Sequence, residues 1–352
     1  MGLSKSLREW IKRNRWRATG SLVAGLLCLL LFWFVYSTMT PSETAVKQRT
    51  VQQRSPSLPM PSEPAARPKP AASASGPRAK ELSGFIAALD RQNVRYGWKD
   101  IRPAEIPWEF HRTTKKNNPL MFVHFGDASG SCVLFMGGVH GDELPTVYLM
   151  LKLAHYIQDN PDVVKDRCIV IAPLVNPDGY LAARPTRVNA SGVDVNRNFP
   201  TRHWHPDALR HWKTKAKKNK RYYPGPKAAS EQETLFQIAL MKRFKPQKIL
   251  SVHSPLNFFD YDGPSADLDS FEQWMERVAK AVNHPVKRFG YFPGSLGNYA
   301  GNERNIFTLT LELPTSDPAL AAQYFSRFQP SFLKFIDLAM TGTPPNTRMV
   351  TH

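Results

Sequence analysis

Short apolar runs alternate with helical patterns along the chain beyond residue 81. The apolar runs are rich in β-branched and aromatic residues, and they are LMFVHF (120–125), CVLFMGG (132–138), CIVIAPLV (168–175), ILSVHS (249–254) and IFTLTLEL (306–313). Stretches with helical spacing begin at Leu144, Ser230 and Leu268. Continuous apolar strands separated by helices are typical of a mostly parallel sheet that is buried on both faces. The pattern therefore predicts an α/β fold: a single domain over residues 81–341, with a mostly parallel, mixed twisted sheet flanked by helices on both faces.

The two ends of the chain do not follow this pattern. Residues 1–20 hold six lysines and arginines against one acid, Glu9, and residues 21–37 hold no charge. An apolar run of about 17 to 25 residues can span a bilayer as a helix, and a basic flank stays in the cytoplasm. We therefore expect a cytoplasmic basic segment (1–20), an uncleaved transmembrane signal anchor (21–38), a disordered Pro/Ser/Ala-rich linker (39–80) and a C-terminal tail (342–352). A cleaved signal peptide is the alternative for the apolar run.

Polar side chains with metal-binding or catalytic chemistry follow most of the apolar runs. Ligands of such sheets bind at the carboxyl ends of the strands, so these side chains are expected to meet. Two histidines and one carboxylate, with a fourth position open for water, are the composition of a hydrolytic zinc site. A histidine and a glutamate three residues apart are also common in a turn that caps a helix, so the other strand ends decide the interpretation. The residues are His140 and Glu143 after the second run, Asn176 and Asp178 after the third, His253 after the fourth and Glu312 after the last.

The loop PTRVNASGVDVNRNFP (185–200) concentrates polar residues in a stretch that suits neither a helix nor a strand. An arginine fork binds a carboxylate through two parallel hydrogen bonds, and an asparagine adds a neutral donor. The loop is therefore a candidate for anion recognition, and a hydrogen-bonded structural loop is the alternative. The residues concerned are Arg187, Asp194, Asn196, Arg197 and Asn198.

Five motifs in order resemble those of the zinc carboxypeptidase family, the clan of carboxypeptidase A. They are HGDE, NPDG, TRVNASGVDVNRNFP, SVHSPL and TLELP, and they cover about residues 122–314. Within the family, three further stretches are most similar to the bacterial murein peptide amidase branch. These stretches are YYPGPKAASEQET, HSPLNFFDYDGP and GYFPGSLGNYAG.

The resemblance implies a catalytic centre with one zinc ion per chain. Its ligands would be His140, Glu143 and His253. Glu312 would be the general base that takes a proton from water and passes it to the leaving amine, and Arg187 would stabilise the oxyanion.

The resemblance also implies the residues that bind the substrate. Asn196 and Arg197 would hold the free carboxylate of the substrate's terminal residue. Asp194 would accept a hydrogen bond from the liganding histidine His140 and so fix its tautomer. The family's mobile, substrate-facing tyrosine matches Tyr291 best, with Tyr299 and Tyr261 as rivals.

We therefore expect an inner-membrane, single-pass enzyme with its catalytic domain in the periplasm. It would hydrolyse the γ-D-glutamyl-diaminopimelate bond of murein peptides with zinc-activated water. A metallocarboxypeptidase for ordinary peptides, or a deacylase of small amino-acid conjugates, is the first alternative. A non-catalytic cell-wall-binding module is the second. The sequence does not determine the oligomeric state.

Charge and cysteine content add three expectations. The net charge of +18 favours acidic partners, but nucleic acid is not expected outside the cytoplasm. The basic run KTKAKKNKR (213–221) is interpreted as a solvated loop, with binding of anionic lipid or murein carboxylates as the alternative. Cys132 and Cys168 begin two buried strands, and we predict that both are free thiols, although an oxidising compartment would permit a disulfide.

Overall fold

The computed structural model of the chain describes residues 77–263, 268–288, 290 and 292–339, all within one compact unit. The predicted anchor, the linker up to residue 76 and the C-terminal tail lie outside these residues. None of the helices in the described part of the chain combines the length and the apolar character that a membrane crossing needs.

Seven α-helices and eight strands are described within these bounds. The helices are α1 (Pro77–Arg95), α2 (Leu144–Asp159), α3 (Pro177–Tyr180), α4 (Trp204–Thr214), α5 (Gln232–Phe244), α6 (Leu268–Ala281) and α7 (Ala321–Asp337). The strands are β1 (Glu109–Thr113), β2 (Pro119–Gly126), β3 (Cys132–Met136), β4 (Cys168–Ala172), β5 (Lys248–His253), β6 (Phe258–Gly263), β7 (Val286–Lys287) and β8 (Phe307–Glu312). A π-helical turn at Gly297–Asn302 precedes β8.

The strands form one mixed sheet in the order β1-β2-β4-β3-β5-β8-β6-β7. Its centre is parallel, because β3 pairs in parallel with β4 and β5, and β5 pairs in parallel with β8. The antiparallel pairs are β1 with β2, β2 with β4 and β6 with β8. The predicted α/β domain with a mixed sheet is confirmed.

Both faces of the sheet are buried, which explains why β3 and β4 are apolar without alternation. Along β3, Val133 and Phe135 belong to a core that also contains residues of α1, α2 and α7. Leu134 and Met136 point to the other core, which contains residues of α5. The helices therefore flank the sheet on both faces, as predicted.

The prediction of two free thiols is wrong. Cys132 and Cys168 form a disulfide, with their Cα atoms 4.3 Å apart. The physical reason is the strand register, because the parallel pairing of β3 and β4 places Cys132 directly opposite Cys168. Both residues do begin buried strands, but they begin neighbouring strands in the same register.

Candidate active site

The loop after β3 brings His140 and Glu143 to the carboxyl edge of the sheet. This loop packs tightly on the chain after β4: a Cβ atom on Gly141 would lie 2.2 Å from the carbonyl carbon of Gly179. Only glycine fits at this contact. Glu143 then directly precedes α2, and the β5–β8 register places His253 opposite Glu312.

Three buried side chains converge at this edge and form a group that could hold a metal ion. Glu143 bridges the two histidines, with Oε1 at 2.7 Å from Nδ1 of His140 and Oε2 at 3.0 Å from Nδ1 of His253. The two Nδ1 atoms are 3.2 Å apart. Two nitrogens that are each 2.0–2.1 Å from a tetrahedral zinc lie about 3.3 Å apart, so this donor set fits zinc.

Asp194 fixes the orientation of His140. Its Oδ1 lies 3.1 Å from Nε2 of His140. With a metal ion bound at Nδ1, the proton of His140 would lie on Nε2 and be donated to Asp194. Burial alone would raise the pKa of the Asp194 carboxyl, but Arg187 and His140 hold this pKa well below its usual range. The backbone N–H of Asn196 donates a further hydrogen bond to Oδ1 at 3.0 Å.

Arg187 lies beside the metal ligands. Its Nε donates to Oδ2 of Asp194 at 3.0 Å, and its Nη1 lies 3.3 Å from Oε1 of Glu143. The guanidinium also stacks over the ring of Tyr222, with 5.2 Å between Cζ and the ring centroid. These contacts hold a buried cation beside the candidate metal ligand Glu143.

Asn196 and Arg197 line the same pocket on another side. The Nη1 of Arg197 donates to the carbonyl oxygen of Asn196 at 2.7 Å, and its guanidinium lies 4.5 Å from the ring centroid of Phe292. The side-chain oxygen of Asn196 accepts from the backbone N–H of Leu296 at 2.8 Å. Arg197 is thus fixed without a direct salt bridge to a described carboxylate, and its remaining donors suit an anionic ligand.

Glu312 faces the pocket from the end of β8. Burial raises the pKa of its carboxyl, which suits a group that must accept and release a proton. Its Oε2 accepts a hydrogen bond from the backbone N–H of Leu256 at 3.3 Å. Glu312 does not belong to the group that could hold a metal ion, so its carboxylate is available for proton transfer.

One pocket of about 530 Å³ is lined by the group that could hold a metal ion and by Arg187, Asn196, Arg197 and Glu312. It also contains two acids that were not predicted from the sequence. Asp260 and Asp262 come from β6. Oδ2 of Asp262 accepts a hydrogen bond from Oγ1 of Thr310 at 2.7 Å. Burial and the neighbouring Asp260 raise the pKa of Asp262 to about 7. The stretch NFFDYDGP contained the signal, since its two aspartates are two residues apart and so lie on one face of a strand.

Two other strand-end residues, Asn176 and Asp178, support the site instead of lining it. The side-chain amide of Asn176 donates to the carbonyl oxygen of Arg187 at 3.1 Å. Asp178 accepts from Thr114 and Asn118, at 2.5 and 2.7 Å, and so ties the loop to the chain between β1 and β2.

Two of the three tyrosines considered for the substrate-facing position lie within the described residues. Tyr291 lies outside the described residues. Tyr299 and Tyr261 are buried and pack against Phe199 and Phe307, and neither belongs to the described lining of the pocket. The described lining does contain Tyr222, which sequence reasoning missed.

Comparisons with known proteins agree with this geometry. A model of the zinc carboxypeptidase family matches residues 112–324. Murein peptide amidase A of Escherichia coli (strain K12) is 31% identical over 214 residues, which are 59% of this chain and 82% of that protein. Murein peptide amidase A of Vibrio campbellii is 30% identical over 200 residues, which are 56% of this chain and 75% of that protein.

A solved structure supports the fold independently. Bovine thrombin-activatable fibrinolysis inhibitor, in complex with tick carboxypeptidase inhibitor, is similar with a TM-score of 0.57 at 17% identity. The similarity covers 73% of this chain and 95% of that chain.

Proposed function

Because this chain belongs to the zinc carboxypeptidase family and is a zinc-dependent hydrolase of peptide bonds, we propose that its substrates are murein peptides. The bond cleaved would join γ-D-glutamate to diaminopimelate. The identity to two murein peptide amidases supports the substrate class. The chemistry of the pocket supports the choice of bond.

The observation that carries the proposal is the presence of both charge signs in one pocket. Arg197 offers donors to the α-carboxylate of the leaving residue, and Asp262 offers a carboxylate to an ammonium group. Diaminopimelate has an α-carboxylate next to the scissile amide and an ammonium at the far end of its side chain. An ordinary apolar C-terminal residue would leave the buried carboxylate of Asp262 without a charged partner, which is costly.

The side chains of this protein then divide the work of hydrolysis. Bound zinc lowers the pKa of a coordinated water and polarises a carbonyl oxygen. Glu312 accepts the proton of the attacking water and delivers it to the amide nitrogen as the carbon–nitrogen bond breaks. Arg187 donates hydrogen bonds to the developing oxyanion. Asn196 and Arg197 bind the α-carboxylate of the leaving residue. This carboxylate therefore stays bound while the amine of the same residue is released from the carbonyl carbon.

We further propose that the enzyme is anchored in the inner membrane with this domain in the periplasm. The uncharged run of residues 21–37 and its basic flank support this location. A disulfide between Cys132 and Cys168 agrees with it, because disulfides persist in oxidising compartments.

The test compares substrates that differ in the linkage of the glutamate or in the leaving residue. The zinc-loaded protein is given L-Ala-γ-D-Glu-diaminopimelate, its α-linked isomer and an ordinary tripeptide with a C-terminal leucine, and kcat/KM is measured for each. We expect the γ-linked tripeptide to be preferred by at least an order of magnitude. Preference for the ordinary tripeptide would assign a general carboxypeptidase and overturn the proposal.

A further inference from the structure

A basic lobe forms one wall of the pocket, and its charges have no role in the mechanism above. We define the basic lobe as residues 204–222, which comprise α4 and the loop that follows it. It contains seven lysines and arginines and one acid, Asp207. The cations are Arg210, Lys213, Lys215, Lys217, Lys218, Lys220 and Arg221.

The lobe contacts residues in and beside the candidate site at three points. Trp204 donates from Nε1 to the carbonyl oxygen of Arg197 at 2.9 Å. Arg221 pairs with Asp142, two residues after His140, at 2.5 Å. The adjacent Tyr222 carries the guanidinium of Arg187 over its ring. The lobe is therefore fixed relative to the site, and Asp142 gains a role that the sequence did not show.

Most cations of the lobe form no ion pair with a described residue. Arg210 and Arg221 are paired with Asp207 and Asp142. The five lysines are exposed, and none forms an ion pair with a described residue. Lys215 and Arg221 line the pocket itself. Neither packing nor ion pairing among the described residues therefore accounts for the cluster of lysines at this wall of the pocket.

The position of the lobe indicates which part of a substrate it meets. Asn196, Arg197 and Asp262 take the leaving residue, whereas Arg221 and Tyr222 lie beside Asp142 and Arg187, where the scissile carbonyl is held. Groups attached to the acyl side of that carbonyl would extend toward the lobe. An exposed cluster of cations attracts an anion over about one Debye length, roughly 8 Å at physiological salt.

We propose that the basic lobe recognises a free carboxylate on the acyl residue of the substrate, the residue that contributes the scissile carbonyl. This inference rests on the proposed function, in which that residue is γ-linked glutamate with a free α-carboxylate. The lobe thereby selects acidic acyl residues over their neutral amides.

The test uses a pair of substrates and a matched pair of variants. The substrates are L-Ala-γ-D-Glu-diaminopimelate and the same tripeptide with the glutamate α-carboxylate converted to a carboxamide. The lobe variant is Lys213→Gln/Lys215→Gln/Lys220→Gln in the full chain. The control is Lys99→Gln/Lys165→Gln/Lys242→Gln, which removes the same charge from exposed positions outside the pocket lining.

We expect the wild type to have a higher kcat/KM for the acid than for the amide, with a ratio that falls as salt is added. In the lobe variant this ratio should fall roughly fivefold, in line with the upper range for an exposed ion pair, while kcat/KM for the amide stays unchanged. The control variant should keep the wild-type ratio. An equal ratio in the lobe and control variants, or no preference in the wild type, would overturn the inference.

Two further outcomes distinguish this inference from a failure of the proposed function and from binding of the lobe to the wall polymer. If neither γ-linked tripeptide is cleaved while ordinary peptides are, the proposed function fails, and the same ratio is then measured for α-linked peptides with glutamate or glutamine before the scissile bond. A lobe variant that keeps its ratio but no longer sediments with isolated murein sacculi would assign the lobe to the wall polymer and overturn the inference.

Discussion

Reduction of the Cys132–Cys168 disulfide should destabilise the domain strongly. The two cysteines are 36 residues apart in sequence. In the chain-entropy treatment, releasing a loop of this length increases the entropy of the unfolded chain by an amount that corresponds to about 4 kcal/mol at 25 °C. With a denaturant dependence of about 3 kcal/mol per molar urea, the unfolding midpoint should fall by about 1 M.

Urea titrations of the oxidised and reduced protein, followed by tryptophan fluorescence, measure this shift. The double variant Cys132→Ala/Cys168→Ala is the control, because its midpoint should not respond to the reductant. Thiol labelling provides the count: the denatured, unreduced protein should expose one thiol, Cys28, and the reduced protein three. Three thiols without reduction, or equal midpoints for the oxidised and reduced protein, would refute the reasoning.

Three substitutions test other parts of the structure. Asp194→Asn should weaken zinc binding about 10- to 100-fold, measured by competition with a chelator, because the group that orients His140 loses its charge; unchanged affinity would contradict this role. Asp262→Asn should lower kcat/KM for the diaminopimelate substrate about tenfold and raise that for a peptide ending in leucine, because no carboxylate is then left without a charged partner; an equal loss on both would indicate a structural effect. Glu233→Gln should raise the free energy of unfolding by at most about 3 kcal/mol at pH 8 and leave it unchanged at pH 5, as measured by thermal unfolding. Burial raises the pKa of Glu233 from 4.5 to about 7, so the folded state binds the proton more tightly and wild-type stability falls as the pH rises through that interval. A difference in stability between variant and wild type that does not change with pH would contradict the raised pKa of Glu233.

The buried parallel strands β3 and β4 were predictable because no polar side chain interrupts their apolar runs, and β5 because only Ser251 interrupts its run before His253. Both faces of these three strands are covered, and the end of each run marks the edge of the sheet. That edge is where His140 and His253 lie. The strands β1, β6 and β7 were not predicted, since β7 has two residues and the others carry charged side chains.

Features that depend on pairing between distant segments could not be read from the sequence. The disulfide follows from the β3–β4 register, and the contact of Asp262 with Thr310 follows from the antiparallel pairing of β6 with β8. Likewise, the pairing of Asp142 with Arg221 joins segments 79 residues apart. Residue type alone indicated the chemistry of these side chains but not their partners.

The central claim is that a zinc site assisted by Glu312 hydrolyses the γ-D-glutamyl-diaminopimelate bond. The most direct measurement is mass spectrometry of the products from L-Ala-γ-D-Glu-diaminopimelate, incubated with the zinc-loaded wild type, the chelator-treated protein and Glu312→Gln. We expect free diaminopimelate and L-Ala-D-Glu from the zinc-loaded wild type only, with Glu312→Gln still binding one zinc per chain. Release of diaminopimelate by Glu312→Gln at the wild-type rate, or an intact tripeptide with the zinc-loaded wild type, would contradict the account.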